Sequence, residues 1–174
     1  FAVFDISSGE ITNIVDFVGG VRPFAVSHDG STLYTQLSRL HGFAVADLAT
    51  GNTIQTIRYP MPEDVEPPKS WPHSYNHGLE ITPDGATLVV AASLGDFVAI
   101  YDLPGPEERA KVSICDAANW VVTTKDSKRA YVSCEGDDQV SVIDLQQGWE
   151  IKRIDLPGAH GPVRMRLVDV PDKN

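Results

Sequence analysis

The chain has 174 residues, a formal net charge of −10 and an isoelectric point near 4.8. Hydrophobic residues make up 42% and charged residues 22%, which is enough apolar material for a packed core. The acidic balance argues against a partner held through phosphate backbones, so no nucleic acid is expected. No apolar run reaches the roughly 18 residues of a membrane span. The chain opens on Phe1 with neither a basic nor an apolar leader segment behind it, which reads as a chain processed or cut at this point.

In chain order, the first predicted element is an alternating strand that ends in an acidic turn, FAVFDISSGE from Phe1. The same pattern returns as FAVADLATGN from Phe43, VAIYDLPGPE from Val98 and VSVIDLQQGW from Val140. The turn aspartates Asp5, Asp47, Asp102 and Asp144 are separated by steps of 42, 55 and 42 residues. A second landmark precedes three of them: HDGSTLY with Asp29, PDGATLV with Asp84 and KDSKRAY with Asp126. Each lies 18 residues before the following turn aspartate. Between the landmarks the chain reads as short β-branched and aromatic strands separated by turn residues, with no apolar period of 3.6. Asp29-Gly30 and Gly51 supply the positive φ that tight turns need. Pro104, Gly105 and Pro106 replace that chemistry in the third copy and predict a longer turn there.

A repeat of about 42 residues holding four antiparallel strands is the signature of a propeller blade. The segments TPDGATLVVAA, KDSKRAYVSCEGDDQVSVIDLQQG and HDGSTLYTQLSRLHGFAVADLATG resemble the YVTN-type β-propeller repeat. The WD40 pattern fits less well, because His41-Gly42 and His160-Gly161 run in the opposite order and no Trp is followed by Asp. The expected fold is therefore an all-β propeller with three full blades over residues 20–57, 76–115 and 118–156. Residues 1–17 supply part of a blade, 59–75 form a Pro-rich inserted loop, and 158–170 begin a further blade. Joining the two ends would make a four-bladed ring. The preferred reading is part of a larger ring, such as the seven-bladed one common in this family, or a half completed by another chain.

Loops leave such blades by two opposite faces. The Asp-Gly and Thr-Gly turns fall on one face. The blade-to-blade connections, and the loops between second and third strands, fall on the other, where the chemically unusual residues collect. That face carries the insert with Trp71 and His73, then His77 and His160 in connections and His41 in a loop, with Trp120 near the rim. Arg22, His77 and Asn119 hold equivalent places, seven residues before the landmark aspartates, at the mouth of the innermost strands. Arg22, His41, Trp71, His73, His77, Asn119 and His160 are thus the candidate ligand-binding set. His73, His77 and His160 with a carboxylate are a candidate divalent-metal set, since imidazole and carboxylate suit zinc or copper. The acidic loop of Glu135, Asp137 and Asp138 lacks EF-hand spacing and reads as a solvated tip. The aspartates of the VxVxD pattern read as turn caps.

Cys115 and Cys134, the only cysteines, either form one disulfide or pack as two separately buried thiols. There is no GxSxG elbow, Walker loop, Rossmann fingerprint or CxxCH haem attachment. The expected function is a scaffold that binds a partner protein or a small ligand through its loop-rich face. The family resemblance implies two alternatives, a lactonase-like or metal-dependent hydrolase with a His-lined site, and a propeller subunit of a redox dehydrogenase. It also implies a periplasmic or extracellular location.

Overall fold

The computed structural model describes residues 1–63 and 74–168. Strands β1 (Ala2–Asp5) and β2 (Glu10–Ile14) form a two-stranded hairpin. Three four-stranded antiparallel sheets follow, each in sequential strand order. The first comprises β3 (Val21–Val26), β4 (Thr32–Leu37), β5 (Gly42–Asp47) and β6 (Thr53–Arg58). The second comprises β7 (Gly78–Ile81), β8 (Thr87–Ala92), β9 (Phe97–Asp102) and β10 (Glu107–Ser113), and the third β11 (Ala118–Thr123), β12 (Arg129–Cys134), β13 (Gln139–Asp144) and β14 (Trp149–Asp155). Strands β3, β7 and β11 approach one another as the innermost row. These sheets are the three blades of a propeller, and no helix occurs among the described residues.

Packing between blades follows from the period-2 alternation of each strand. Leu88 and Val90 of β8 point to one side, with Leu79, Ala99 and Tyr101, against Tyr34, Phe43 and Val45 of the first blade. Val89 and Ala91 point to the other side, with Val98 and Ile100, against Ala118, Val121, Val132 and Ile143 of the third. A strand buried on both faces has to be apolar throughout, which is why TLVVAA carries no charged position. The outermost strands β6 and β14 are mostly exposed and read TIQTIR and WEIKRID.

Buried polar ties lock the blades together. The Gln36 amide is fully buried; its Nε2 donates to the carbonyls of Gly78 (3.1 Å) and Ala91 (3.0 Å), while Oε1 accepts the Gly78 N–H at 2.8 Å. Asn76 Nδ2 donates to the Leu40 and Gly42 carbonyls, pinning the start of the second blade to the first. Gly78 allows β7 to run against β11, since a Cβ there would stand 2.2 Å from the Asn119 carbonyl.

The landmark turns are built alike in all three blades. Asp29, Asp84 and Asp126 each accept a hydroxyl two residues earlier, from Ser27, Thr82 and Thr124. Each also accepts a backbone N–H two residues later, from Ser31, Ala86 and Lys128. In the third blade Ser127 takes the positive φ, 58°, that Gly30 and Gly85 take elsewhere. Asp5, Asp47 and Asp144 cap the second kind of turn through backbone N–H bonds from Ser7, Thr50 and Gln146. Asp102 instead pairs with Arg109 at 2.6 Å.

One expectation needs correction. The turn after Asp102 is not longer: Asp102 pairs with Glu107, just as Asp5 pairs with Glu10 and Asp144 with Trp149, and the Leu103-Pro104 peptide is cis. Of the two arrangements open to the cysteines, the disulfide is the one formed. Cys115, in the connection after β10, is disulfide-bonded to Cys134 at the end of β12. Residues 161–168, within the 158–170 segment expected to start a further blade, follow β14 and form no ladder among the described residues.

Candidate functional site

The inner rim of the second and third blades brings together the most polar chemistry of the loop-rich face. His77 follows the anchored Asn76 and opens β7, and Asn119 holds the equivalent place in β11. Glu135 follows β12 directly, beside the disulfide at Cys134. The exposed carboxylate of Glu135 accepts the Asn119 amide Nδ2–H at 2.6 Å through Oε2. That bond orients the amide, so Asn119 Oδ1 faces His77 Nδ1 at 3.2 Å as the acceptor. An acceptor there requires the proton on Nδ1, which leaves the lone pair of neutral His77 on Nε2. A carboxylate acting through an intermediary to set an imidazole tautomer is the arrangement that readies the second nitrogen as hydrogen-bond acceptor, base or ligand.

Trp120 forms the wall of this site. Its backbone N–H donates to Ser133 Oγ at 2.9 Å, and its ring lies 6.0 Å from the His77 ring. The Arg164 guanidinium stands 5.4 Å from the Trp120 ring centroid, within cation–π range. Asp138 Oδ1 accepts the Gly161 N–H at 2.7 Å and so fixes the segment that bears Arg164. Gly161 has φ of 65°, and a Cβ on it would stand 3.3 Å from Glu135 Cγ.

The other candidates have separate surroundings. Arg22 Nε donates to Ser38 Oγ at 2.9 Å within the first blade, where Ser38 holds the place that Glu135 holds in the third. His41 is 4% exposed, so its ring belongs to the interface of the first two blades and not to the open rim. Nδ1 of His41 lies 2.9 Å from the Pro60 carbonyl, and the ring packs on Tyr59 and Phe97. Burial lowers the pKa of His41, the bond to Pro60 opposing this in part. The equivalent residues in the next blades are Asp96, which accepts the Ala117 N–H, and Asp138, which accepts that of Gly161. His41 therefore fills a tie position and meets a carbonyl where the aspartates meet N–H groups. His160 is exposed. Trp71 and His73 lie outside the described residues. Among the described residues no three His, Cys, Asp or Glu side chains are grouped to hold a metal ion.

Sequence reasoning did not select Arg164. The repeat pattern held no signal for it, since the match of Gly161-Pro162-Val163 with Arg22-Pro23-Phe24 aligns Arg164 with the apolar Ala25.

A chain of four-stranded antiparallel blades with polar side chains converging on the inner rim defines a β-propeller. The fold is similar to that of the solved hydrazine synthase of Kuenenia stuttgartiensis, with a TM-score of 0.68 and 24% identity over 87% of this chain. The chain spans 40% of the length of that protein's matched chain, and a likeness at this identity concerns the fold alone. No family model and no curated protein matches the sequence.

Proposed function

We propose that this chain is a ligand-binding propeller scaffold whose site is the inner rim around His77, Asn119, Trp120, Glu135 and Arg164. The observation behind this reading is the relay from Glu135 through Asn119 to His77, which holds an imidazole Nε2 beside an indole face and a guanidinium. Such a set suits a small polar molecule with a flat or apolar part, or a partner side chain of the same character. Membership in the YVTN-type repeat family is part of this proposal, and rests on the repeated landmark turns. A periplasmic or extracellular location is supported by the disulfide, because such bonds persist in oxidising compartments. A larger ring, such as one of seven blades, or completion by another chain is supported by exposed apolar residues of the two-stranded unit. Phe4 is 57% and Ile6 93% exposed beside the edge of β1, which among the described residues pairs only with β2.

The test is a thermal-shift screen of the chain with amino acids, sugars, carboxylates and quinones, followed by tryptophan fluorescence titration. A compound that raises the melting temperature by binding at this rim is expected to lose its effect in both His77→Ala and Trp120→Ala. Undiminished binding in both variants would move the site off this rim. The hydrolase reading makes His77 Nε2 a base or metal ligand. It requires stoichiometric metal in the purified protein or a hydrolytic rate abolished by His77→Ala. The redox-subunit reading rests on the family resemblance alone, and copurification of a haem or quinone protein would support it.

A further inference from the structure

The rim site carries hydrogen-bonding groups of opposite kinds beside one indole. Asn119 spends its amide inside the relay, Nδ2 on Glu135 Oε2 and Oδ1 on His77 Nδ1. Two acceptors are left: Oε1 of the exposed Glu135 and Nε2 of the neutral His77 ring. The exposed Arg164 guanidinium, 5.4 Å from the Trp120 ring centroid, offers only donors. Among the described residues Glu135 and Arg164 form no ion pair with each other. One segment nevertheless holds them near. Gly161 lies against the Glu135 side chain, and Ser133 Oγ donates to the carbonyl of Val163, next to Arg164, at 3.4 Å. Arg164 follows Gly161 by three residues, at most about 11 Å of extended chain. Carboxylate and guanidinium thus share the rim across a gap too wide for direct pairing and short enough for a small molecule.

A molecule that meets all of these groups has to carry donors at one point and a planar anion at another. An ammonium has three donors and no acceptor, which matches the Glu135 carboxylate and His77 Nε2. A carboxylate takes a guanidinium fork in two parallel bonds. A lone carboxylate would leave the two acceptors unmet and its charge near Glu135. A lone amine would leave the guanidinium without an anion. An apolar side chain carried between the two charges has the Trp120 indole to lie on.

Resting on the reading of this rim as the binding site, we propose that its ligand is a zwitterionic α-amino acid with an apolar side chain. The ammonium bonds Glu135 and His77 Nε2, the carboxylate bonds Arg164, and the side chain packs on Trp120.

The probes are L-phenylalanine and L-leucine, titrated calorimetrically into the full chain. Beside them go N-acetyl-L-phenylalanine, which lacks the ammonium, and L-phenylalaninamide, which lacks the carboxylate. Phenylalanine is expected to bind about tenfold more tightly than either blocked form. Arg164→Gln, at an exposed position, is expected to weaken phenylalanine binding about tenfold with the fold unchanged by circular dichroism. It should abolish the advantage of phenylalanine over the amide and keep that over the N-acetyl form. Glu135→Gln should do the reverse. No binding of either amino acid, equal binding of phenylalanine and a blocked form, or an Arg164→Gln chain that still prefers phenylalanine to its amide would each overturn the proposal. The rim itself is judged separately by His77→Ala and Trp120→Ala. A different compound whose binding is lost in both variants keeps the site and removes the amino acid. Phenylalanine binding undiminished in both removes the rim reading and the proposal together.

Discussion

Asp29 accepts the hydroxyls of Ser27 and Ser31 and the N–H of Ser31, and these bonds lower its pKa to about 2. Asp5 is held at about 2 in the same way by Ser7 and Ser8. Folded values below the unfolded one mean that each carboxylate adds stability above about pH 4, and that this is lost as the pH falls through about 2. Both turns are exposed, so the effect of each is small; the replacement Asp29→Asn is expected to flatten the acid limb of a melting-temperature titration between pH 4 and 2. His41 titrates in a different window. Its lowered folded pKa means the unfolded chain binds the proton more readily. Stability is therefore complete above about pH 6.5 and declines as the pH falls below that value, until the folded ring itself protonates. Melting curves at pH 7.5 and 5.5 are expected to differ less in His41→Phe than in the parent chain, and an equal difference would show that His41 is not the titrating group. A repeat offset places His41 in a loop but does not reveal that its position is a tie between blades. That emerges when Asp96 and Asp138 are seen capping the next connection at the equivalent place.

Strands and turns were the most legible elements, because alternation and Asp-Gly chemistry are local properties of the chain. The equivalence of Arg22, His77 and Asn119 could also be read from spacing. What each of them bonds could not. Arg22 turns to Ser38 in its own blade, His77 reaches across to Asn119, and Asn119 turns to Glu135. Those choices depend on which side chain the neighbouring blade presents. Two substitutions test the contact between blades. Gln36→Leu would remove the acceptor of the buried Gly78 N–H and two bonds to the Gly78 and Ala91 carbonyls. It is expected to destabilise the chain by about 3 kcal/mol in urea unfolding. Gly78→Ala places a methyl group against the Asn119 carbonyl and should cost about 1–3 kcal/mol. Because it pushes β7 from β11, it should also weaken any ligand that depends on the His77–Asn119 bond. A neutral outcome for Gln36→Leu would mean that apolar packing alone holds these blades.

At the scale of the whole molecule, the disulfide joins the connection between the second and third blades to the end of β12, closing a separation of 19 residues. It lies beside the relay: Ala118 pairs with Cys134, Asn119 is next to Ala118 in β11, and Glu135 directly follows Cys134 after β12. Replacing both cysteines by serine is expected to cost about 3 kcal/mol, a fall of about 10 °C in melting temperature, and to loosen the rim around Glu135. An unchanged melting temperature under reducing conditions would remove this contribution. A cleft of about 630 Å³ lies between the connection at Asp16–Gly20 and the first blade, bordered by Phe17, Leu37, Leu40 and Arg58. Nothing in the repeat pattern anticipates it, because it is shaped by how the connection crosses the blade.

The 174 residues and their regular landmarks were sufficient by themselves to establish an all-β chain of repeated four-stranded units. That information is local and periodic: alternation sets strand faces, and Asp, Gly, Ser and Thr at constant offsets set turns. Tertiary structure alone decided that the cysteines join, that His41 is enclosed, and that Arg164 reaches Trp120. Each of these depends on a distance between a blade and another blade, a connection or the segment after β14, and spacing along the chain does not encode such distances when equivalent positions differ.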